Sequence, residues 1–165
     1  MRVSVDTVRL WVEILGELHL GFLVRPWFKN VTRSLRKEPK WFLCDWSSIE
    51  NEGDRAETFV ACHLLEAVEG WNDLGFGQFD LGYLRDKEKR EVDFVVVRDG
   101  KPWFLAEVKH RDDTIGKALG YYQERVNAPF AFHVIVDADY VDAHCFAAPR
   151  SPTMVPAKTL LSQLL

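Results

Sequence analysis

Apolar residues recur at helical spacing at the start of the chain and then give way to two short extended runs. The segment SVDTVRLWVEILGEL, residues 4–18, has apolar side chains every three or four positions and Ser4 as an N-cap, which predicts an amphipathic helix. The runs FLVRPWF and WFLCDW (41–46) follow as strands, with a basic connector between them. This is the order of the second half of a winged helix. We therefore predict a partial winged-helix-like segment over 1–50, with its boundary in SSIENEGD.

The rest of the chain alternates between segments with apolar residues at helical spacing and apolar segments typical of β-strands. The pattern predicts a helix, three strands, a helix and a strand, at 54–69, 76–85, 91–97, 102–109, 113–126 and 131–137. The order αβββαβ indicates an α/β core over 51–148. A tail, 149–165, ends in a short apolar helix, AKTLLSQLL.

Composition and charge narrow the class of protein. Hydrophobic residues make up 47% and charged residues 28%, as in ordinary globular domains. The net charge of -4 excludes binding of nucleic acid by bulk attraction, so any such contact must be local. The three cysteines have no metal-ligand spacing and are expected as buried thiols. Without an apolar run of about 18 residues, we expect a cytoplasmic protein that does not enter the membrane.

Two carboxylates and a lysine mark the hairpin EVDFVVVRDGKPWFLAEVK. A two-residue turn at Asp99 and Gly100 would put Asp93 and Glu107 on opposite faces, which would abolish a shared site. A three-residue loop, 98–100, would instead place Asp93 diagonal to Glu107 on one face. The site hypothesis takes the second register.

Two carboxylates so close together repel each other unless a cation lies between them. Oxygen ligands suit Mg²⁺ or Mn²⁺. Lys109 would then orient a water molecule or stabilise charge on a phosphate oxygen, which indicates metal-assisted phosphodiester hydrolysis. The alternative is a surface ion pair on a half-exposed sheet. The order of the surrounding elements favours the site.

Glu57 has two interpretations. It lies in line with the apolar stripe of its helix and could point at the site, but Asp54 to Glu57 also forms a capping-box pattern that needs no catalysis. Both stay open. Gln123, on the following helix, could reach a substrate backbone or be a surface amide, and His110 is expected to be structural.

With these residues in place, the segment from about 54 to 137 resembles the PD-(D/E)XK, restriction-endonuclease-like superfamily. More narrowly, the chain resembles the C-terminal domain of unknown function of bacterial and archaeal AAA-type ATPases, through SVDTVRLWVEILGELHLGFLVRPW, KWFLCD, RAETFVACHLLE, LGYLRDKEKREVDFVV and LAEVK. The resemblance implies a mixed sheet and a Mg²⁺-dependent nuclease fold. It implies Asp93 and Glu107 as metal ligands with the Val108 carbonyl, Lys109 as the catalytic lysine and Glu57 as the helix acid. No phosphate loop of an ATPase is present in this sequence.

We therefore expect a divalent-metal-dependent nuclease acting on DNA, with Mg²⁺ or Mn²⁺ as cofactor. Auxiliary nucleic-acid contacts are expected from Gln123 and from the basic connector residues Lys29, Arg33, Arg36, Lys37 and Lys40. The rival is a catalytically silent nuclease-fold module that binds nucleic acid or an ATPase partner, and a third reading is an accessory that acts in a complex. A homodimer is a further expectation.

Overall fold

The computed structural model describes residues 3–27, 39–111, 114–147 and 151–164, and it confirms the α/β class. The helices are α1 (Val5–Glu17), α2 (Glu52–Asp73), α3 (Lys117–Val126) and α4 (Ala157–Leu161). The strands are β1 (Gly21–Pro26), β2 (Lys40–Leu43), β3 (Phe79–Arg85), β4 (Glu91–Arg98), β5 (Lys101–Lys109), β6 (Phe130–Ile135) and β7 (Thr153–Pro156). The predicted order αβββαβ corresponds to α2, β3, β4, β5, α3 and β6.

The strands of the described residues form one mixed sheet in the order β2-β1-β3-β4-β5-β6-β7. The pairs β1-β2, β3-β4 and β4-β5 are antiparallel. The pairs β1-β3, β5-β6 and β6-β7 are parallel, and α3 makes the crossover from β5 to β6. The sheet therefore combines the antiparallel meander β3-β4-β5 with parallel pairings on both sides of it.

Each face of the sheet is covered by a helix, which explains why the central strands are apolar on both faces. On one face, α2 contributes Val60 and Leu64 to a core that also contains Phe94 and Phe104. On the other face, α3 contributes Leu119 and Tyr122, which pack with Val95 and Leu105. Alternate residues of β4 and β5 thus belong to different faces, and we use this to orient the polar side chains below.

The segment that we predicted as a separate winged-helix remnant is part of the same sheet. β1 and β2 form an antiparallel pair, but Arg25 and Pro26 also pair in parallel with Gly82 and Tyr83 of β3. Val24 and Phe42 are buried in the α2-side core. The sheet therefore runs through the boundary expected near residue 50, because the two short strands complete an edge of the core.

Helix α2 begins earlier than its capping pattern predicted. Asn51 is the N-cap, and its Oδ1 accepts a hydrogen bond from the Asp54 backbone N–H at 3.0 Å. Glu57 therefore lies in the second turn and is not part of a capping box, so that interpretation was wrong. An Asn side chain caps a helix N-terminus as well as an Asp side chain does.

The tail adds a strand that the sequence did not predict. β7 pairs with β6, and the Trp71 indole N–H donates to the Leu164 carbonyl at 2.7 Å, which ties the tail to α2. β7 has four residues and ends at Pro156, so it is too short to show an alternating pattern. α4 follows within the predicted apolar stretch.

Two further findings concern the exposure of the cysteine side chains and the length and polarity of the helices. Cys44 is exposed, while Cys62 and Cys145 are half-buried, so the expectation of three buried thiols was wrong. Across the described ranges, every helix is too short or too polar to cross a lipid bilayer.

Candidate functional site

The hairpin between β4 and β5 closes with a two-residue turn, contrary to the three-residue loop that the sequence analysis preferred. Arg98 pairs with Lys101, and the turn residues Asp99 and Gly100 have φ values of 50° and 74°. Both lie in the left-handed region that such a turn requires. The loop prediction was therefore wrong.

A β-bulge directly after the turn shifts the register of β5 by one residue. Val97 pairs with Pro102, but Val96 pairs with Phe104, so Trp103 is an extra residue on β5. Pro102 has no backbone N–H to donate to the ladder, which makes a bulge at this point favourable. The shifted register continues to Phe94 and Ala106, the last β4-β5 pair among the described residues.

A second bulge controls the direction of Asp93. Along β3 and β4, Gly82 pairs with Val95 and Leu84 pairs with Val92, so Asp93 and Phe94 together oppose Tyr83. Beyond the Phe94–Ala106 pair, Asp93 Oδ2 accepts a hydrogen bond from the Val108 backbone N–H at 2.8 Å. A side chain here takes the place of a strand-to-strand hydrogen bond. We call the point where β4 and β5 part, at Asp93 and Val108, the fork.

The Asp93 carboxyl group in the fork is largely buried, and charged neighbours surround it. Burial and the negative charge of Glu57 raise its pKa from 3.8 to about 6, although the Val108 N–H, Lys40 and Lys109 act in the opposite direction. Loss of water disfavours the charged form, and a like charge adds to the effect. Acids with strongly perturbed pKa values are frequent at functional sites.

Lys40 lies among acids and does not point away from the sheet. Its Nζ is 2.9 Å from Glu57 Oε1, 2.5 Å from Glu91 Oε1 and 3.8 Å from Asp93 Oδ1. Burial lowers the pKa of Lys40, but the charge of Glu57 and the hydrogen bonds to Glu91 and Glu57 outweigh it, so the pKa is raised overall. The sequence analysis grouped Lys40 with residues that contact nucleic acid. In the structure its ammonium group faces carboxylates.

Glu57 points toward the site, as one of its two interpretations required. It is half-buried on α2, and its carboxylate and that of Asp93 share the ammonium group of Lys40. The position follows from the helical stripe, because Val60 and Leu64, three and seven residues further on, are buried against the sheet.

Glu107 approaches the fork from the other face of the sheet. Its neighbours Ala106 and Val108 pack on the α2 side, so its own side chain points to the α3 side. Gly116, just before α3, lies so close that a methyl group added there would be 2.8 Å from Glu107 Oε1. Lys109 Nζ is 3.3 Å from the same Oε1. The two acids therefore lie on opposite faces, so the prediction that they share one face was wrong; the Val108 backbone N–H, which donates to Asp93, links the two strands at the fork.

One oxygen of Glu107 suits a cation. Glu107 Oε2 is buried and accepts no hydrogen bond from the described residues, and His133 Nδ1 lies 3.9 Å away. Buried carboxylate oxygens are normally paired, so this one is open to a positively charged ligand. Within the part of the chain that the structure describes, no three acidic, histidine or cysteine side chains form a metal-binding group. Two carboxylates with water and a backbone carbonyl suit Mg²⁺, which rarely takes an all-protein cage.

The remaining predicted residues are Gln123, the basic connector residues and His110. Gln123 lies on α3 and is half-buried, and its contact with nucleic acid stays a prediction. The connector residues Lys29, Arg33, Arg36 and Lys37 lie outside the described residues. His110 lies at the end of the hairpin, with its Nδ1 3.1 Å from Glu52 Oε2, in keeping with a structural role.

Three residues of this neighbourhood, Glu91, Arg85 and His133, were not predicted from the sequence. Glu91 contacts Lys40 and also forms an ion pair with Arg85, whose Nε is 3.3 Å from Glu91 Oε2. His133 is fully buried and lies beside Glu107 in the parallel register of β5 and β6. A histidine inside the apolar run AFHVIVD was the available signal, because a buried polar side chain needs a polar neighbour.

Comparison with known proteins gives one match. The family described as a domain of unknown function (DUF4143) matches residues 52–142, which is more than half of the chain. The matched span runs from the start of α2 past the end of β6 and includes Glu57, Asp93, Glu107 and Lys109. No curated protein and no solved structure matches the chain.

Proposed function

Because the chain belongs to the DUF4143 family of domains of unknown function, we propose its function from its own side chains: a divalent-metal-dependent nuclease that hydrolyses phosphodiester bonds in DNA. The observation that carries the proposal is the fork. There the buried Asp93 carboxyl group, with its pKa raised to about 6, is joined through the Val108 N–H to the strand that bears Glu107 and Lys109. Glu57 adds a further acid from α2.

The order of elements supports the same proposal. The resemblance to the PD-(D/E)XK superfamily rests on the order αβββαβ with Asp93 and Glu107-Val108-Lys109 in place, and the fork separates the strands that carry these residues. Backbone irregularities beside reactive residues are common, because a bulge redirects a side chain. The bulge at Asp93 and Phe94 redirects the Asp93 side chain in this way.

The side chains of Asp93 and Glu107 lie on opposite faces, but β4 and β5 part between them at the fork, and there Asp93, Glu107 and the Val108 carbonyl would hold Mg²⁺ or Mn²⁺ in this proposal. When bound, the ion would supply Lewis-acid stabilisation of a phosphate and a more acidic water molecule. The orphaned Glu107 Oε2 and the oxygen-only donor set fit a hard cation.

Lys109 is the residue that we assign to the reacting phosphate. Its side chain is more than one-third exposed, while its Nζ stays 3.3 Å from Glu107 Oε1. An ammonium group that contacts a carboxylate on one side and solvent on the other can stabilise charge on a phosphate oxygen. Lys109 could also orient a water molecule through a hydrogen bond, which is the second role that we propose for it.

A catalytically silent module that binds nucleic acid or a protein is the second candidate. Two observations favour it: the described residues lack a three-ligand metal group, and Lys40 already neutralises acids beside the fork. The net charge of -4 makes non-specific DNA affinity weak in either case, so binding would depend on local basic residues.

A cleavage assay separates the two candidates. The wild-type chain is incubated with supercoiled and branched DNA and Mn²⁺ or Mg²⁺, beside Asp93→Asn, Lys109→Met and the control Asp80→Asn, an exposed acid at the far end of β3. The nuclease proposal expects nicking by wild type and Asp80→Asn, with a loss of about a hundredfold or more in the other two. Equal inactivity of all four proteins, with DNA still bound, would establish the silent module.

A protein partner is also part of the proposal. Along α1, described in full, every residue is at least partly exposed; Trp11 is 50% exposed, and Leu18, the C-cap, is 63% exposed. An apolar helix face of this kind marks an interaction surface. A second copy of the chain and an ATPase are the two candidates, and light scattering on the purified chain tests the first: a mass of twice 19.1 kDa supports a homodimer, and the monomer mass rejects it.

A further inference from the structure

Lys40 is bound where a cation drawn to Asp93 would have to compete with it. The ammonium group comes within 4 Å of three carboxylates that belong to α2 and β4, and its side chain is 23% exposed. Tyr83 covers it on one side, with the Nζ 5.3 Å from the ring centroid. Such a group is a cation supplied by the chain itself, held by oxygen atoms and an aromatic ring.

The charges around Asp93 nearly balance without an added ion. Glu57, Glu91 and Asp93 carry three negative charges when ionised, and Lys40 and Arg85 supply two positive charges within ion-pair distance of them. A divalent ion bound at Asp93 would turn this balance positive. Because like charges repel strongly at short range in a partly buried site, the ion and the ammonium group oppose each other.

The distances show which contact yields first. Lys40 Nζ lies 2.9 Å from Glu57 and closer still to Glu91, but 3.8 Å from Asp93. The ammonium group can therefore move away from Asp93 while it keeps its two nearer partners. A lysine side chain, with four rotatable carbon links, makes such a movement without a change in the strand.

We propose that Lys40 is a tethered competitor of the metal ion for Asp93, so that the ion binds fully only when this ammonium group withdraws toward Glu57 and Glu91. The inference rests on the proposed function, since it assumes that Asp93 binds a metal. It adds regulation to that site: any ligand or movement of β2 that draws Lys40 away would strengthen metal binding at the fork. Lys40 lies outside the span that matches the family, so the device is a property of the edge strand.

Titration of the purified full chain with MnCl₂, followed by calorimetry and by the electron paramagnetic resonance of free Mn²⁺, tests the proposal. We compare wild type with Lys40→Met and with Lys101→Met. The second variant removes the same charge from an exposed position at the end of β5 that is remote from the fork. We expect Lys40→Met to bind Mn²⁺ about tenfold or more tightly than wild type, and Lys101→Met to bind like wild type.

The outcomes separate this inference from the proposed function. If wild type binds Mn²⁺ through Asp93, as shown by loss of binding in Asp93→Asn, but Lys40→Met binds no more tightly, the inference is overturned and the metal site stands. If none of the proteins binds Mn²⁺, both are overturned.

A second variant and a second measurement cover the case in which Lys40→Met fails to fold. Lys40→Arg keeps the charge, so we expect it to bind Mn²⁺ like wild type. In the wild-type chain with ¹³C-labelled lysine, the Lys40 side-chain signal should shift during a MgCl₂ titration with the same midpoint as metal binding. Saturation of the metal site with an unmoved Lys40 signal would overturn the inference.

Discussion

Replacement of Asp93 by Asn should stabilise the protein at neutral pH. The buried carboxyl group has a pKa of about 6 against 3.8 for an ordinary aspartate, so its ionisation opposes folding. A shift of about two pKa units corresponds to about 3 kcal/mol at a pH well above 6. Asn keeps an oxygen that accepts the Val108 N–H but carries no charge, so the variant escapes this cost.

The sign and the pH window follow from the direction of the shift. For a raised pKa, the favourable contribution is complete below the unfolded value of 3.8 and is lost as pH rises through about 6. The wild type and the Asn variant should therefore be equally stable near pH 4. At pH 7.5 the variant should be more stable by up to about 3 kcal/mol, because Asp93 is then charged in the wild type.

Urea denaturation in EDTA, from pH 4 to pH 8, measures this difference as the free energy of unfolding. Asp80→Asn is the control, because it removes a charge from an exposed position. Asp93→Ala lacks the acceptor for the Val108 N–H and should gain less than the Asn variant, by about 1 kcal/mol. The reasoning is refuted if Asp93→Asn is less stable than wild type at pH 7.5, or if the difference between them does not change with pH.

Three smaller predictions follow from single contacts. Gly116→Ala should shift the flexible Glu107 carboxylate, since the new methyl group would lie 2.8 Å from it; we expect about tenfold weaker Mn²⁺ binding with a small loss of stability, while Gly120→Ala, at 3.6 Å from Pro152, leaves binding unchanged. Trp71→Phe should lower the free energy of unfolding by about 1 to 2 kcal/mol in urea melts, because the Leu164 carbonyl loses its donor; an unchanged value would contradict it. Asn51→Ala should cost about 1 kcal/mol through loss of the α2 cap, and Asn51→Asp should restore it.

The central elements were predictable because each has its own periodicity. The strands around Val95 and Leu105 are continuous apolar runs, and the α2 stripe through Leu64 repeats at helical spacing, so local sequence determines both. β7 and the edge pairing of β1 with β3 were not predictable in the same way. They depend on which strands meet, and no local pattern encodes that.

The geometry of the site was harder to predict than its members. Asp93, Glu107 and Lys109 were named from the motif, yet their directions depend on two bulges, at Trp103 and at Asp93 with Phe94. Pro102 was a usable signal for the first, since a proline next to a turn disrupts the ladder.

The partners of Lys40 were also beyond the sequence. Its carboxylates lie 17 to 53 positions away along the chain, so charge patterning near Lys40 showed only a basic connector. Long-range ion pairs of this kind follow from the fold and not from composition.

Anomalous diffraction from crystals soaked in MnCl₂ tests the central claim most directly, because it locates the ion without relying on activity. We expect one strong peak in the fork, bonded to a carboxylate oxygen from Asp93 and one from Glu107, that disappears in Asp93→Asn crystals. A crystal soaked to saturation that shows no peak in the fork would contradict a metal site shared by the two motif acids. A peak at Glu57 and Glu91 with none at Glu107 would contradict it as well.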